Sequence, residues 1–526
     1  MKGKVCKDMK KRLTLLLCAL MLLGSACAQE NETGIVLGKM ITVNGEAISA
    51  DVAAPVHLEL ISESHEDVPE NLRGLRNSVV VITGEGSYRI SGKAEDTQIL
   101  VRAGKEDKVR LILDGADISC RTAPAIAIES ACDARIAGQY GVTIELADGS
   151  ENTITGSHTK APDGDDDALE YDGAIGSQVS LGFEGSGSLR VDADNEGIEV
   201  ASGHMTINGG TFRISACDDP LNVAEDGVGT LTVNGGYVYS SVKPLAGGEG
   251  DGIDSNGRII FNGGTVINLA HPASQDSGID SDLGSTINGG LIVGAGNMYD
   301  PIEEASGQLF MMLEFAEETD QLVVVTDEND KPVFAYDFPY DYMYIAFSTP
   351  ELTEGTYRVY LGGEIEGEQT DGLYTQITAY KPGVRMQHGE GTAQMRRGGM
   401  PGMPQDGAPQ IPGGTAGMAA YQQALQHIDL NELLKDADLN ELLRTLDLNR
   451  LLDAYSVTDL LTQEQIQQYF GEIDLSAMSA PDRGFGGMGR GGMGGPRSLN
   501  SSADVATADF ALSKSSTGFT NVQAAD

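Results

Sequence analysis

Short apolar runs separated by polar turns recur with a nearly constant period in the middle of the chain. The tripeptide Asn-Gly-Gly begins at Asn208, Asn234, Asn262 and Asn288, with spacings of 26, 28 and 26 residues, and a short, mostly apolar run lies on each side of every copy. A period of this length with two or three strands is typical of a solenoid. Because the strands lie too close together for crossover helices, the pattern predicts an all-β fold, a parallel β-helix with one coil per repeat.

A third strand in each repeat alternates apolar and polar residues. Alternation places one column of side chains inside the coil and a second column on its outer face. The inner column is Ile198, Leu221, Ile253 and Ile279, and the outer column is Glu199, Asn222, Asp254 and Asp280. Polar and mostly acidic residues are therefore expected one above another along one edge.

Further acidic residues occupy the corner before each of these strands. Neighbouring strands lie about 4.8 Å apart, and at that distance two carboxylates repel by roughly 3 kcal/mol at an effective dielectric constant of about 20. Such an edge favours a bound cation, and an oxygen-only ligand set suits Ca²⁺. The alternative is a solvated acidic face without metal. The candidate Ca²⁺ ligands are Asp194, Glu196, Glu199, Asp218, Asp219, Asp251, Asp254, Asp276, Asp280 and Asp282.

Charge and aromatic content narrow the partners that the chain can bind. The 526 residues carry a formal net charge of −43, which argues against nucleic acid or an anionic membrane surface, because both recruit Lys and Arg. Trp is absent from the sequence and Tyr is sparse in the repeats, so the sequence offers no row of aromatic rings for stacking on flat cellulose. An acidic polysaccharide bridged by Ca²⁺ fits this composition better.

The N-terminal segment predicts export from a bacterial cell. Residues 1–28 combine a basic start with an apolar core from Leu15 to Leu23 that is too short to span a bilayer. Ala26-Cys27-Ala28 fits signal-peptide cleavage, whereas the four residues ending at Cys27 resemble a lipobox, which would attach a lipid to Cys27. Either route predicts an extracellular or cell-surface protein, with a membrane contact only through that lipid.

Composition shifts divide the rest of the chain into segments. An N-terminal β-element (29–76) precedes the repeats (77–300) and a small antiparallel β-domain (301–385), which is expected to cover the open end of the coil. A Gly/Met-rich linker (386–420), short amphipathic helices (421–476) and a disordered tail (477–526) follow. The helices are interpreted either as a docking segment for a protein partner or as a spacer.

Cysteines and histidines suggest no catalytic centre. Cys120 and Cys132 could pair around one coil, and the alternative is that they are small buried residues of the stack; Cys217 is then left over. The histidines interpreted as structural or exposed are His57, His65 and His204.

The early repeats contain an ordered series of motifs. Segments 108–118 and 142–156 read Lys-Val-Arg-Leu-Ile-Leu-Asp-Gly-Ala-Asp-Ile and Val-Thr-Ile-Glu-Leu-Ala-Asp-Gly-Ser-Glu-Asn-Thr-Ile-Thr-Gly, and later corners read Asn-Glu-Gly-Ile at Asn195 and Asp-Gly-Ile at Asp251. Over residues 75–380 this series resembles a family of exported bacterial carbohydrate-binding proteins from cellulolytic clostridia and their relatives. The resemblance implies a right-handed parallel β-helix similar in shape to pectate lyases, with bound calcium. It also implies binding to plant cell-wall polysaccharide, without catalysis.

Three functions fit these features. Calcium-dependent binding of plant cell-wall or acidic polysaccharide is favoured. A pectate-type lyase needs a base beside calcium, and Arg258 is the first candidate, with Lys243 and Arg213 as further ones. The third function is that of a structural surface protein whose calcium only staples the coils together.

Overall fold

The computed structural model describes residues 32–161, 169–303, 305–389 and 506–525. Every regular element in these ranges is a β-strand. The all-β prediction is therefore confirmed for this part of the chain, which holds no helix that could cross a bilayer. The predicted signal peptide, nearly all of the predicted linker and the predicted helices at 421–476 lie outside the described residues.

Between Asn77 and Gly296 the strands form three columns. Within each column, a strand pairs in parallel with the strand one repeat further along the chain. Column 1 contains β5 (Asn77–Ile82), β7 (Thr97–Arg102), β9 (Ile126–Ser130), β12 (Gly173–Ser177), β15 (Glu196–Val200), β18 (Leu221–Val223) and β21 (Asp254–Ser255). Column 2 contains β6 (Gly86–Ala94), β8 (Val109–Ser119), β10 (Val142–Leu146), β13 (Leu181–Gly185), β16 (His204–Ile207), β19 (Thr230–Val233), β22 (Arg258–Phe261) and β24 (Ser285–Ile287).

Column 3 completes the repeat. It contains β11 (Glu151–Gly156), β14 (Ser188–Ala193), β17 (Thr211–Ala216), β20 (Tyr237–Val242), β23 (Thr265–Leu269) and β25 (Leu291–Gly296), and the second halves of β6 and β8 extend it backwards. From β12 to β23 the chain passes through columns 1, 2 and 3 in the same order in every repeat, and the last repeat has strands only in columns 2 and 3. The predicted inner column is buried: Ile198, Leu221 and Ile253 are 0% exposed and Ile279 is 4% exposed.

The Asn-Gly-Gly turns join column 2 to column 3 and stack in register. The Nδ2 atom of Asn234 donates to Oδ1 of Asn208 at 2.8 Å, Asn262 donates to Asn234 at 2.8 Å, and Asn288 donates to Asn262 at 2.9 Å. The last glycine of each turn has a positive φ, 87° at Gly236, where a Cβ would also meet the backbone of the preceding turn. The periodic tripeptide therefore builds an amide ladder, and its glycines permit the close approach of successive turns.

The N-terminal strands cover the first edge of the columns. β1 (Thr33–Leu37) pairs in parallel with β6, and β4 (Val56–Ile61) pairs antiparallel with β5. Between them, β2 (Thr42–Val43) and β3 (Glu46–Ala47) form a hairpin around Asn44-Gly45, whose φ angles of 52° and 82° are both positive.

Antiparallel strands follow the last repeat. β25 pairs antiparallel with β29, so the final edge of column 3 is covered by this second group. Its strands are β26 (Phe310–Thr319), β27 (Val323–Thr326), β28 (Pro332–Tyr336), β29 (Tyr342–Ser348), β30 (Gly355–Thr370) and β31 (Leu373–Gly389). β30 and β31 form a long hairpin whose turn residue Asp371 accepts hydrogen bonds from Tyr237 at 2.6 Å and Arg213 at 2.8 Å.

The disorder predicted for the whole tail is wrong for residues 506–525. This segment forms β32 (Ala506–Thr507), β33 (Phe510–Leu512) and β34 (Gly518–Ala524). β34 lies between β26, to which it is parallel, and β31, to which it is antiparallel, and buries Phe519 and Val522. The alternation of apolar and polar residues in β34 is too short to predict a strand from the sequence. The segment forms a strand because it pairs with the edges of β26 and β31.

Cys120, Cys132 and Cys217 are free thiols.

Candidate metal-binding edge

The column 1 strands hold the predicted outer residues in register. Glu199 pairs with Asn222 across β15 and β18, and Asn222 pairs with Asp254 across β18 and β21. Asp280 extends the series, because its N–H donates to the carbonyl of Ile253 at 2.9 Å and its carbonyl accepts from Ser255 at 3.2 Å. Glu199, Asn222, Asp254 and Asp280 are called the outer ladder below.

The outer ladder is not the open, solvated face expected of outward residues. Glu199 is only 4% exposed and Asn222 only 7% exposed, while Asp254 and Asp280 are half-buried. Residues before β12 cover Glu199, whose Oε2 accepts the Asp172 N–H at 2.8 Å. Carboxylates shielded in this way lose hydration and need a proton, a donor or a cation in its place.

A second set of acids occupies the corner beside this ladder. Glu196 accepts a hydrogen bond from Asn222 Nδ2 at 2.8 Å. Asp219 Oδ1 accepts the N–H of Asp251 at 2.6 Å, and Asp251 Oδ1 accepts the N–H of Ser277 at 2.5 Å, so each of these carboxylates connects its own repeat to the following one. Glu196, Asp219 and Asp251 are called the corner column.

The ladder and the corner column converge on one cluster. Asp251, Asp254 and Asp280 each contribute one carboxylate oxygen to a group whose members all lie within 4.8 Å of one another. All three side chains are half-buried. Three carboxylates at this spacing cannot all be charged at low cost unless a cation neutralises them.

The electrostatics of the edge reflect this crowding. Burial, reinforced by Asp280, raises the pKa of Asp254 to about 7. Burial raises the pKa of Glu199 to about 7, although the backbone N–H of Asp172 opposes the rise. The pKa values of Glu196 and Asp251 are raised by burial and by neighbouring carboxylates. The groups whose pKa is raised in the same direction also include Asp219 and Asp280.

At this edge, two buried acceptor atoms have no hydrogen-bond partner among the described residues. They are Oε2 of Glu196 and Oδ1 of Asn222, on side chains already linked to each other. Buried acceptors are normally satisfied. An oxygen-seeking cation could satisfy both, which makes this second position along the edge chemically suited to metal.

The other predicted ligands lie around these clusters or apart from them. Asp276 accepts the Gly250 N–H at 2.7 Å, and Asp218 and Asp282 act on the cluster through their charge. Asp194 instead accepts hydrogen bonds from Ser157 and from His158. Sequence reasoning did not name Asp172 as a ligand, although its carboxylate acts on Glu196 and Glu199. Asp172 directly precedes β12, and its Asp-Gly pair, which Asp251 shares, is the signal that could have found it.

The basic residues proposed for lyase chemistry are paired elsewhere. Arg258 Nη1 contacts Glu303 Oε1 at 2.9 Å, Lys243 Nζ contacts Asp192 at 2.8 Å, and Arg213 contacts Asp371. Arg258 is the first residue of β22, the column 2 strand that follows β21. No described ion pair connects any of these three bases to a carboxylate of the three-aspartate cluster.

Similarity to known proteins covers the same repeats. Residues 76–305 match the profile of a family described as carbohydrate-binding domain-containing protein. A protein of Acetivibrio thermocellus with the same description is 33% identical over 164 residues, which is 31% of this chain and 54% of that protein. The chain thus spans about half the length of the curated relative that it matches.

The chain is also similar to a solved structure. That structure carries the name "polysaccharide lyase-like protein from C. thermocellum, Gadolinium derivative". It overlays with a TM-score of 0.32 and 21% identity, over 52% of this chain and 95% of that one.

Proposed function

We propose that residues 77–300 form a right-handed parallel β-helix that binds acidic or plant cell-wall polysaccharide outside the cell. Binding depends on Ca²⁺ held at the acidic edge, and the protein is not catalytic. The observation that carries this proposal is the convergence of Asp251, Asp254 and Asp280 within 4.8 Å on a half-buried surface. The constant order of the three columns supports the coiled fold.

Calcium fits the ligand set that the edge offers. All side-chain donors are carboxylate or amide oxygens, which Ca²⁺ prefers and which zinc-class ions accept less readily. Asp251, Asp254 and Asp280 would hold one ion, and Glu196 with Asn222 offers the orphaned oxygens for another. A bound Ca²⁺ supplies positive charge with open coordination positions, which a uronate carboxylate can share.

Carbohydrate as the partner class rests on the family match over residues 76–305 and on the relative from Acetivibrio thermocellus. An acidic glycan is favoured because the protein itself carries a net charge of −43. Direct binding of a polyanion would be repulsive, whereas Ca²⁺ between two sets of carboxylates makes contact favourable only when the ion is present.

The lyase alternative requires a free base at the cluster. Arg258 pairs with Glu303 instead. This pairing favours binding over elimination. A lyase would also release unsaturated sugars, which absorb ultraviolet light, so the two functions are separable in one assay.

The test is retention of the whole chain on immobilised polygalacturonate and on cellulose, with Ca²⁺ or with chelator, while absorbance of the solution is followed. We expect Ca²⁺-dependent retention on polygalacturonate without a rise in absorbance. The D254N/D280N variant should lose retention, and the E106Q variant, which alters an exposed acid away from the edge, should keep it.

Rising absorbance that R258A abolishes would establish the lyase. Absence of retention under both conditions would leave a calcium-stapled structural protein.

A further inference from the structure

A second cluster of metal-ligating side chains lies away from the acidic edge described above. His65, Asp67 and His158 each present one ligand atom, and these three atoms lie within 4.8 Å of one another. The rings of His65 and His158 are 5.5 Å apart between centroids and inclined by 52°. Two imidazoles and a carboxylate form a donor set unlike the all-oxygen one at Asp254.

Register between neighbouring repeats explains how His158 reaches this position. β11 and β14 are adjacent in column 3 and pair Gly156 with Ala193. The residues that follow these strands therefore leave the column side by side. Asp194 accepts the His158 N–H at 3.1 Å and contacts His158 Nδ1 at 3.2 Å.

That contact fixes which nitrogen of His158 is available. A carboxylate accepts hydrogen bonds, so Nδ1 carries the proton toward Asp194 and Nε2 keeps its lone pair in the neutral ring. Nε2 points toward Asp67, whose Oδ2 is 3.8 Å away. A histidine oriented through its second nitrogen by a carboxylate is the usual arrangement of a metal-bound imidazole.

The loop between β4 and β5 supplies the other two groups. The Val68 N–H donates to the carbonyl of His65 at 3.1 Å, which forms a turn around Asp67. The Arg73 side chain donates to the carbonyls of Val68 and Glu66. These bonds hold His65 and Asp67 on one side of the loop.

His65 is the side chain that this arrangement leaves unexplained. Both of its ring nitrogens are shielded from solvent, and neither makes a hydrogen bond of normal geometry with any described residue, although the backbone of His158 lies close by. A shielded imidazole without a partner is costly. A metal ion in the cluster would satisfy one of its nitrogens.

We propose that His65, Asp67 and His158 bind one divalent transition metal ion of the zinc class, with Asp194 as the residue that positions His158. Ligand distances of about 2.0–2.2 Å in a tetrahedral site place ligand atoms roughly 3.3 Å apart, so the 3.8 Å between His158 and Asp67 needs only a small closure. The ion ties the β4–β5 loop to the ends of β11 and β14. The Asp67 side chain is 49% exposed, so a remaining coordination position faces solvent.

The experiment titrates the whole chain with Zn²⁺, and separately with Co²⁺ as an absorbing probe, in excess Ca²⁺ that occupies oxygen-only sites. We expect one equivalent of Zn²⁺ to bind and Co²⁺ to give visible bands of a nitrogen-ligated ion. H65N and H158N should remove both signals, and D67N should weaken binding at least tenfold. D194N should weaken it roughly 10–100-fold, as loss of an orienting partner does.

The neighbouring loop residue offers a matched control. E66Q makes the same change of charge as D67N in the same exposed turn, and it should bind Zn²⁺ like the unaltered chain. Because Asp67 is exposed, D67N keeps the test meaningful even if the histidine variants fold poorly. D254N should also leave Zn²⁺ binding unchanged. Equal binding by E66Q and D67N, or absence of the Co²⁺ bands, would overturn the proposal and leave an ion pair between His158 and its two aspartates.

Discussion

The asparagine ladder of the turns and the outer ladder of column 1 follow the same repeat on different edges of the molecule. Their stacked polar groups are satisfied in different ways. At the turns between columns 2 and 3, each asparagine from Asn234 onwards donates to the one before it, so most of the amides satisfy one another. In column 1, Glu199, Asp254 and Asp280 have only acceptors when ionised. The amide ladder supplies its own donors, whereas the carboxylates of the outer ladder depend on backbone donors such as the Asp172 N–H and on protons or cations from solution.

The difference between the two ladders follows from the chemistry of the side chain that each one repeats. A neutral residue with both donor and acceptor can be repeated without limit, as in stacked amide arrays. A carboxylate repeated at the same spacing accumulates charge, and burial raises the pKa values of Glu199 and Asp254 to about 7. The edge that cannot satisfy itself is where a ligand is expected.

The largest predicted effect comes from removing calcium at alkaline pH. The pKa values of Asp254 and Glu199 near 7 lie above the value of about 4 for the unfolded chain. Stability is therefore fully present below about pH 4 and is lost as pH rises toward 7 and above, because the folded state must release protons that the unfolded state has already lost. In chelator, the melting temperature should fall by several degrees between pH 5 and pH 8.

Calcium should reverse that loss. Free Ca²⁺ at 100 to 1,000 times its dissociation constant stabilises the folded state by about 3–4 kcal/mol at pH 8. Differential scanning calorimetry at both pH values, with and without chelator, measures this. A chelated protein that is equally stable at pH 5 and pH 8 would contradict the predicted origin of the effect.

The effect of one neutralising substitution on the stability of the fold should be opposite with and without calcium. In chelator at pH 8, D254N removes one buried charge from the cluster, and we expect it to stabilise the fold by about 1–2 kcal/mol. In saturating Ca²⁺ the same variant loses a ligand, and it should be less stable than the unaltered chain. E106Q, at an exposed acid, should shift neither melting curve. Destabilisation under both conditions would indicate that Asp254 has only a packing role.

Placing a carboxylate in the amide ladder tests the other side of the comparison. N234D removes the donor to Asn208 and keeps the acceptor for Asn262, so one hydrogen bond of about 1 kcal/mol is lost at neutral pH. Urea unfolding at pH 7 and at pH 3.5 measures the change. The loss should shrink at the lower pH, where the introduced carboxyl group is protonated and can donate. An equal loss at both pH values would assign the effect to something other than the missing donor.

The smallest expected effect concerns the hairpin turn that contacts column 3. D371N keeps an oxygen for Tyr237 but removes the ion pair with Arg213, which is partly exposed, so we expect a loss of at most about 1 kcal/mol. Because the pair lies away from the acidic edge, Ca²⁺ binding measured by calorimetry should be unchanged. A change in Ca²⁺ affinity would show that the two regions are coupled.

Periodicity was sufficient to predict the stacked strands and the residues that share a column. The alternation at Ile198 and Glu199 assigns one side chain to the interior and the other to the outer ladder, and the pairing of Glu199 with Asn222 agrees with it. Periodicity does not give side-chain direction at a corner. The corner backbone turns Asp251 into the cluster and Asp194 toward His158, although both precede a column 1 strand.

The sequence alone did not predict the contacts between segments that are far apart along the chain. His65 and His158 share no motif or spacing, and only the loop before β5 brings them together. The register of β11 and β14 could have placed His158 beside Asp194, because both follow equivalent strands of adjacent repeats. β34, in the segment from Ala506 onwards, forms by pairing with the edges of β26 and β31. No local sequence pattern predicts this pairing.

Those returning strands have a topological consequence. Gly389 pairs with Ala506 and His388 pairs with Thr507, so the span between them begins and ends at adjacent positions of one strand pair. The span is thus an insertion within a unit and not an appendage behind it. For a flexible loop, each doubling of the length costs only about 0.6 kcal/mol in closure entropy. We therefore expect this junction to serve as a graft point, at which the sequence between Gly389 and Ala506 can be lengthened or shortened while the strand pairing is kept.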